Sequence, residues 1–207
     1  IVLEKTGGGF SFSRPLNGGD PFKASKWRIL AGMNFKKVKM IDGDGNNKPY
    51  GDMTPTTGNI GDIICIGFTA NDGSCPEENT LVSVIASASR NNLNSAINPT
   101  KGNRLTFGSE QFVSMGKNSP TFNRMRASYS HFIPAKLINL TKACRSNDAP
   151  SEDCPQAIGF QFKAGTIFGE LPPYEAFCMG GSSSIRGYGS CDLAVSKSFV
   201  EGTVEYR

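Results

Sequence analysis

Apolar and polar residues alternate with a period of two in segment after segment of this chain, as is typical of β-strands with two different faces. Residues 26–40 show it best: one face carries Trp27, Ile29, Ala31, Met33 and Phe35, and the other carries Arg28, Gly32, Asn34 and Lys36. The pattern recurs around Phe10 and Phe12 and in residues 80–90, 103–113, 122–133, 157–168 and 198–207. No run approaches the roughly 18 apolar residues that a membrane-spanning helix needs, so any membrane crossing must use strands.

Composition allows either a soluble all-β protein or a membrane barrel, because barrel strands combine lipid-facing apolar residues with polar residues that face the interior. The chain has 207 residues, of which 38% are hydrophobic and 24 are glycine. Strands of about ten residues, joined by connections that alternate between short and long, favour the barrel. Residues 91–102 are predicted as a turn on one side, and residues 42–79 and 169–197 as long loops on the other. A soluble sandwich with one charged face in water is the alternative.

The six cysteines fall into neighbouring couples, which are Cys65 with Cys75, Cys144 with Cys154, and Cys178 with Cys191. None has the Cys-x-x-Cys spacing of zinc sites or thioredoxin-like motifs. Three local disulfides in an oxidising compartment are the simplest interpretation, and free buried thiols are the alternative.

Several function classes lack support. The net charge of +4 is spread along the chain, whereas a nucleic-acid interface requires clustered basic residues. The single histidine, His131, lies on an apolar face, so no Ser-His-Asp arrangement is expected. Residues 42–47 only faintly resemble a calcium loop, since the glycine and glutamate that complete such a loop are missing. We expect no enzyme, no cofactor and no metal site.

In the second long loop, glycines and serines precede a single cation, Arg186. The residues of this motif are Gly180, Gly181, Ser182, Ile185, Arg186, Gly187 and Tyr188. A glycine- and serine-rich backbone can pass through a confined space, and a guanidinium can bind acids through a rigid fork of donors. The pattern predicts a loop folded into a wide pore and held there by Arg186. A buried guanidinium needs acidic partners, and Glu201 and Glu205 are the acids available on the polar face of the last strand. An exposed loop arginine is the alternative.

This motif resembles the signature loop of the outer-membrane assembly superfamily typified by BamA, which includes two-partner secretion transporters and the chloroplast Toc import channel. The Gly-Gly-Ser run followed by Arg-Gly-Tyr matches that signature, and residues 171–177 and 198–207 resemble the stretches on either side of it. The style is nearest to cyanobacterial members. The resemblance implies an all-β fold, an antiparallel transmembrane β-barrel segment with about seven of the family's sixteen strands and long loops. Residues 136–156 would be a connection on the periplasmic side that is long for the family.

The resemblance also implies a function and a location. The chain is expected to be part of a C-terminal surface-antigen barrel domain over residues 1–207, truncated at both ends and without POTRA domains. Its parent would insert other proteins into the outer membrane of a Gram-negative, cyanobacterial-type cell. The implied partners are the lipid bilayer, unfolded outer-membrane protein clients, and periplasmic chaperones or accessory lipoproteins. A polypeptide-transporting pore is the rival within the superfamily, and a passive surface-antigen barrel or a soluble β-sandwich binding module are the rivals outside it.

Overall fold

A computed structural model describes residues 2–16, 26–41, 78–115, 120–137, 155–182 and 184–207. Seven long strands form one antiparallel sheet in the order β1-β2-β3-β4-β5-β6-β9, and a short hairpin, β7-β8, stands between β6 and β9. The strands are β1 (Val2–Pro15), β2 (Trp27–Ile41), β3 (Glu78–Asn91), β4 (Gly102–Ser114), β5 (Phe122–Pro134), β6 (Ala157–Gly169), β7 (Phe177–Met179), β8 (Ala194–Ser196) and β9 (Ser198–Tyr206). A 3₁₀ helix spans Pro173–Glu175.

Each long strand pairs with the next long strand in the chain, so the sheet is a simple meander. The seven predicted strands are therefore present. The short hairpin was not predicted, because three-residue strands are too short to show an alternation. Most of the strands are also longer than the ten residues expected, reaching 15 residues in β2.

The two faces of the sheet differ as the alternation predicts. One face, here called the outer face, exposes large apolar side chains to the surroundings, including Phe12 at 75% and Val204 at 69% exposure. The other, here called the inner face, carries the charged strand residues and is covered at one end by residues 169–197. Among the described residues no helix is long and apolar enough to cross a membrane.

The inner face is not polar throughout, and here the sequence expectation was incomplete. At the end where residues 169–197 lie, each of β2 to β6 places one buried apolar residue on this face, and Phe177 of β7 packs over them. This inner cluster consists of Val38, Leu81, Phe112, Phe122, Ile167 and Phe177. The rings of Phe112 and Phe122 stack with their centroids 4.1 Å apart. The cluster gives residues 171–177 an apolar surface on which to fold.

The predicted loop of residues 42–79 lies outside the described residues except for its last two positions, and residues 138–154 of the predicted periplasmic connection lie outside them as well. The turn of residues 91–102 is described. It is held by Asn94, whose side-chain oxygen accepts hydrogen bonds from the backbone N–H groups of Thr100 and Lys101.

Candidate functional site: the loop of residues 169–197

The connection between β6 and β9 returns over the inner face. We call residues 169–179 its base and residues 180–191 its tip, and residues 192–197 lead back to β9. Gly169 leaves β6 with a φ of 102°, a conformation that favours glycine. The return strand rejoins the sheet where the backbone N–H of Ile167 donates to the carbonyl of Lys197 at 2.9 Å. The connection is thus folded along both of its arms rather than structureless.

Small residues build the tip because its backbone turns sharply. Gly180, Gly181 and Gly187 all have φ values between 94° and 116°, in the region that only glycine adopts without strain. A side chain at Gly180 would also place its Cβ 2.4 Å from the carbonyl oxygen of Gly189. The carbonyl of Tyr188 accepts a hydrogen bond from the N–H of Gly181 at 3.1 Å, which closes the turn.

A disulfide between Cys178 and Cys191 crosslinks the two arms where the tip begins, with their Cα atoms 4.6 Å apart. It lies beside the β7-β8 pairing, in which Cys178 is opposite Val195. The other four cysteines, Cys65, Cys75, Cys144 and Cys154, lie outside the described residues.

Arg186 reaches one of the two acids named from the sequence. Its guanidinium donates to the Glu205 carboxylate at 2.7 Å, and Glu205 also binds Arg207 at 2.9 Å. Against the seven strands described here, the Arg186 side chain is 77% exposed, so within this segment it forms an exposed ion pair. Exposed pairs of this kind contribute roughly 0–1 kcal/mol, because water screens the charges and two long side chains must be ordered.

Glu201 does not contact Arg186 and has other partners. Its carboxylate accepts from Lys163 at 3.0 Å and from the Ser184 hydroxyl at 2.8 Å. A polar cavity of about 510 Å³ lies between the tip and β9, and Ser182, Ile185 and Arg186 line it. Tyr188 does not line this cavity and is 53% exposed. Among the described residues, the tip therefore forms side-chain hydrogen bonds with the sheet through two acids of a single strand.

Glu175 in the base was missed by the sequence analysis, although it is the loop residue with the most ionic contacts among those described. Its side chain is only 3% exposed and its carboxylate binds Lys36 at 2.6 Å and Arg124 at 3.0 Å, with Lys5 at 3.8 Å. Arg124 binds Glu110 as well, at 2.5 Å. The available signal was a lone acid among apolar residues in 171–177, in a chain whose inner-face positions are rich in lysine and arginine.

Phe177, two residues after Glu175, anchors the base through apolar contacts. Its ring is 6% exposed and meets the ring of Phe199 edge to face at 4.8 Å. The guanidinium of Arg126 lies 5.3 Å from the centre of the Phe177 ring. The Phe177 ring also lies close to Gly165 of β6, where an added Cβ would be 2.7 Å from the ring.

Within the residues that the structure describes, no group of three or more His, Cys, Asp or Glu side chains is placed to hold a metal ion. The buried ionic groups of the inner face instead neutralise one another. The arrangement holds a loop against a wall, and among the described residues it offers no nucleophile paired with a histidine.

A family model for the Omp85 superfamily domain matches residues 3–207, almost the whole chain. The chain belongs to the Omp85 superfamily. Its fold is similar to that of BamA from Haemophilus ducreyi lacking POTRA domains 1–3, with a TM-score of 0.60 at 13% identity over 99% of this chain and 37% of that one. The prediction of an all-β, antiparallel transmembrane β-barrel segment is confirmed, and the soluble sandwich alternative was wrong.

The sequence relatives of this Omp85 domain include chloroplast proteins. TOC75-4 of Arabidopsis thaliana is 30% identical over 122 residues, which are 59% of this chain and 29% of that protein. TOC75 of Oryza sativa subsp. japonica is 31% identical over 106 residues, which are 51% of this chain and 12% of that protein. The matched segment thus spans less than a third of either relative.

Proposed function

We propose that this Omp85 domain belongs to a protein that inserts other barrel proteins into an outer membrane. The observation that supports the proposal best is the loop of residues 169–197, which lies on the inner face and carries the Gly-Gly-Ser and Arg-Gly-Tyr motif at its tip. A loop placed there occupies the space through which a polypeptide segment or a seam-opening motion would have to pass. Its partners would be the lipid bilayer, unfolded barrel clients, and periplasmic chaperones or accessory lipoproteins.

The two faces of the sheet suit that role. The apolar side chains of the outer face match the acyl chains of a bilayer. Strands β2 to β6 each pair on both sides within the sheet, which satisfies their backbone hydrogen bonds as a lipid environment demands. The charged inner face suits a water-filled interior. We place the parent protein in the outer membrane of a Gram-negative bacterium of cyanobacterial type.

A pore that moves polypeptides across the membrane is the second candidate function. The sequence matches to chloroplast TOC75 proteins favour it, because the superfamily whose signature the tip resembles includes the chloroplast Toc import channel. In that case the location would be a chloroplast envelope or a bacterial outer membrane.

Depletion of the intact protein separates these candidates. For an insertion factor we expect the levels of several unrelated outer-membrane barrels to fall together, as measured by quantitative proteomics of the membrane fraction. A fall confined to one exported or imported polypeptide would favour the transport pore. Unchanged levels of every other protein would contradict both and favour a passive barrel.

Complementation then tests the tip itself. Arg186→Ala removes the tip's contact with Glu205, and Arg207→Ala is a matched control because it removes the other cation on the same carboxylate. We expect the Arg186 variant to restore client levels poorly and the Arg207 variant to restore them fully. Full restoration by both would contradict the role assigned to the tip.

A further inference from the structure

The carboxylate of Glu175 lies at the centre of an ionic network that joins the loop to five consecutive strands. Lys5 of β1, Lys36 of β2 and Arg124 of β5 surround it directly. Arg124 also forms an ion pair with Glu110 of β4, and Glu110 accepts a hydrogen bond from Ser83 of β3 at 2.8 Å. We infer that Glu175 is the positioning residue of this loop: it fixes the base to the wall, and the contact of Arg186 with Glu205 depends on it.

The two residues that hold the loop through ion pairs, Glu175 and Arg186, differ in burial. The Glu175 side chain is 3% exposed and that of Arg124 is 12% exposed, so their charges are screened little by water. The Arg186 side chain is 77% exposed. Removing one partner of a buried ionic pair is strongly destabilising because the other charge is left uncompensated, whereas an exposed pair contributes little. Within these seven strands, the base is therefore held more firmly by Glu175 than the tip is held by Arg186.

The remaining contacts indicate that the position of the tip depends on the base, and not the reverse. The base holds apolar partners on several strands through Phe177, while the side-chain hydrogen bonds of the tip to the sheet, among the described residues, are those of Ser184 with Glu201 and of Arg186 with Glu205, both on β9. The base and tip are joined through β7 and the crosslink at Cys178. Displacing the base therefore moves the tip, but releasing the tip leaves Glu175 and Phe177 in place.

This inference deepens the proposed function and rests on it only for the effect on activity, because loop position is measurable by itself. The measurement is amide hydrogen exchange of the intact protein in phosphatidylcholine vesicles, followed by mass spectrometry of peptides from the base and the tip. The variants are Glu175→Gln, which removes the charge at nearly constant shape, Glu175→Asp, which keeps it, and Arg186→Ala.

For Glu175→Gln we expect exchange to become at least about tenfold faster in both the base and the tip, as the loss of a buried charge-assisted contact implies. For Arg186→Ala we expect faster exchange in the tip alone. Glu175→Asp should restore most of the protection in the base. The inference is wrong if Glu175→Gln leaves the base as protected as in the unchanged protein, or if Glu175→Asp exchanges as fast as Glu175→Gln.

A second pair of variants serves if Glu175→Gln does not fold, as judged by heat-modifiable migration on gels. Lys36→Gln removes a cation from the wall and leaves the loop sequence intact, and Lys36→Arg preserves the charge. Faster exchange of the base in the first and not in the second supports the inference, and equal exchange in both overturns it.

Client insertion, measured in the same vesicles, separates failure of the inference from failure of the proposed function. A loop that is released by Glu175→Gln while insertion continues at its normal rate supports the positioning role and contradicts the proposed function. Insertion that fails while the base stays protected contradicts the positioning role.

Discussion

Gly165 of β6 provides the sharpest test of how the loop is seated, because it lies directly beneath the aromatic residues of the base. In Gly165→Ala the new Cβ would lie 2.6 Å from Phe199 and 2.7 Å from Phe177, roughly 0.7 Å inside ordinary van der Waals contact. The Phe177 ring cannot simply turn aside, since it is packed in the inner cluster and is only 6% exposed. The base must therefore rise from the wall.

The expected magnitude follows from overpacking. One extra methyl group in a closely packed site destabilises by about 1–3 kcal/mol when neighbours must shift. Gly108→Ala is the matched control: it adds the same methyl group to the inner face of β4, but the nearest atom, on Ser87, is 3.7 Å away. That substitution should change stability by no more than about 0.5 kcal/mol.

Urea unfolding of the intact protein in phosphatidylcholine vesicles measures the difference. A double-mutant cycle with Phe177→Leu adds a further test, because a smaller side chain above Gly165 should relieve part of the cost and give a coupling of about 0.5 kcal/mol or more. Equal unfolding midpoints for Gly165→Ala and Gly108→Ala would refute the close packing of Phe177 over Gly165. Strictly additive stability changes in the double-mutant cycle would refute it as well.

Three further outcomes are expected. Cys178→Ser removes a crosslink that spans 13 residues and should cost about 3 kcal/mol on the chain-entropy estimate, with proteolysis appearing within the tip; a tip as resistant as before would contradict the predicted role of the crosslink. Phe162→Arg puts a charge on the outer face and should lower stability in vesicles by about 2–4 kcal/mol, whereas Gln161→Arg on the inner face should be nearly neutral; equal losses would show that the faces are misassigned. Glu201→Gln should lower unfolding stability by about 1–3 kcal/mol because the charge-assisted contact between Lys163 and Glu201 is weakened, and an unchanged midpoint would contradict that pairing.

The strands and their faces could be predicted because alternation is a local pattern that a two-sided sheet imposes on every strand. Phe10 and Phe12 in β1, and Val200 and Val204 in β9, all lie on the outer face as expected. The predicted strand ends were less accurate. In β2 the outward positions become lysine at Lys37 and Lys39 while Val38 is buried on the inner face, so the apolar pattern changes sides before the strand ends.

That change of sides explains what sequence reasoning missed at the loop. An inner cluster at one end of a polar face brings together single residues from several strands, and such a grouping has no periodicity along the chain. Glu175 and its cations have the same character, since Lys5 and Lys36 are far from it in sequence and meet it only through the strand pairing. Arg186 was found because its neighbours form a contiguous motif, yet its 77% exposure could not be inferred from that motif.

The crosslink between Cys178 and Cys191 closes the tip into a covalent ring. Such a ring can tilt or be displaced as one body, but it cannot be drawn out into an extended strap while the sulfur bond persists. A polypeptide that moves past the tip would therefore meet a closed ring of fixed size, whether or not Arg186 binds Glu205. The covalent path from the ring to the rest of the chain runs through the paired strands β7 and β8, so a force on the ring would load that short hairpin.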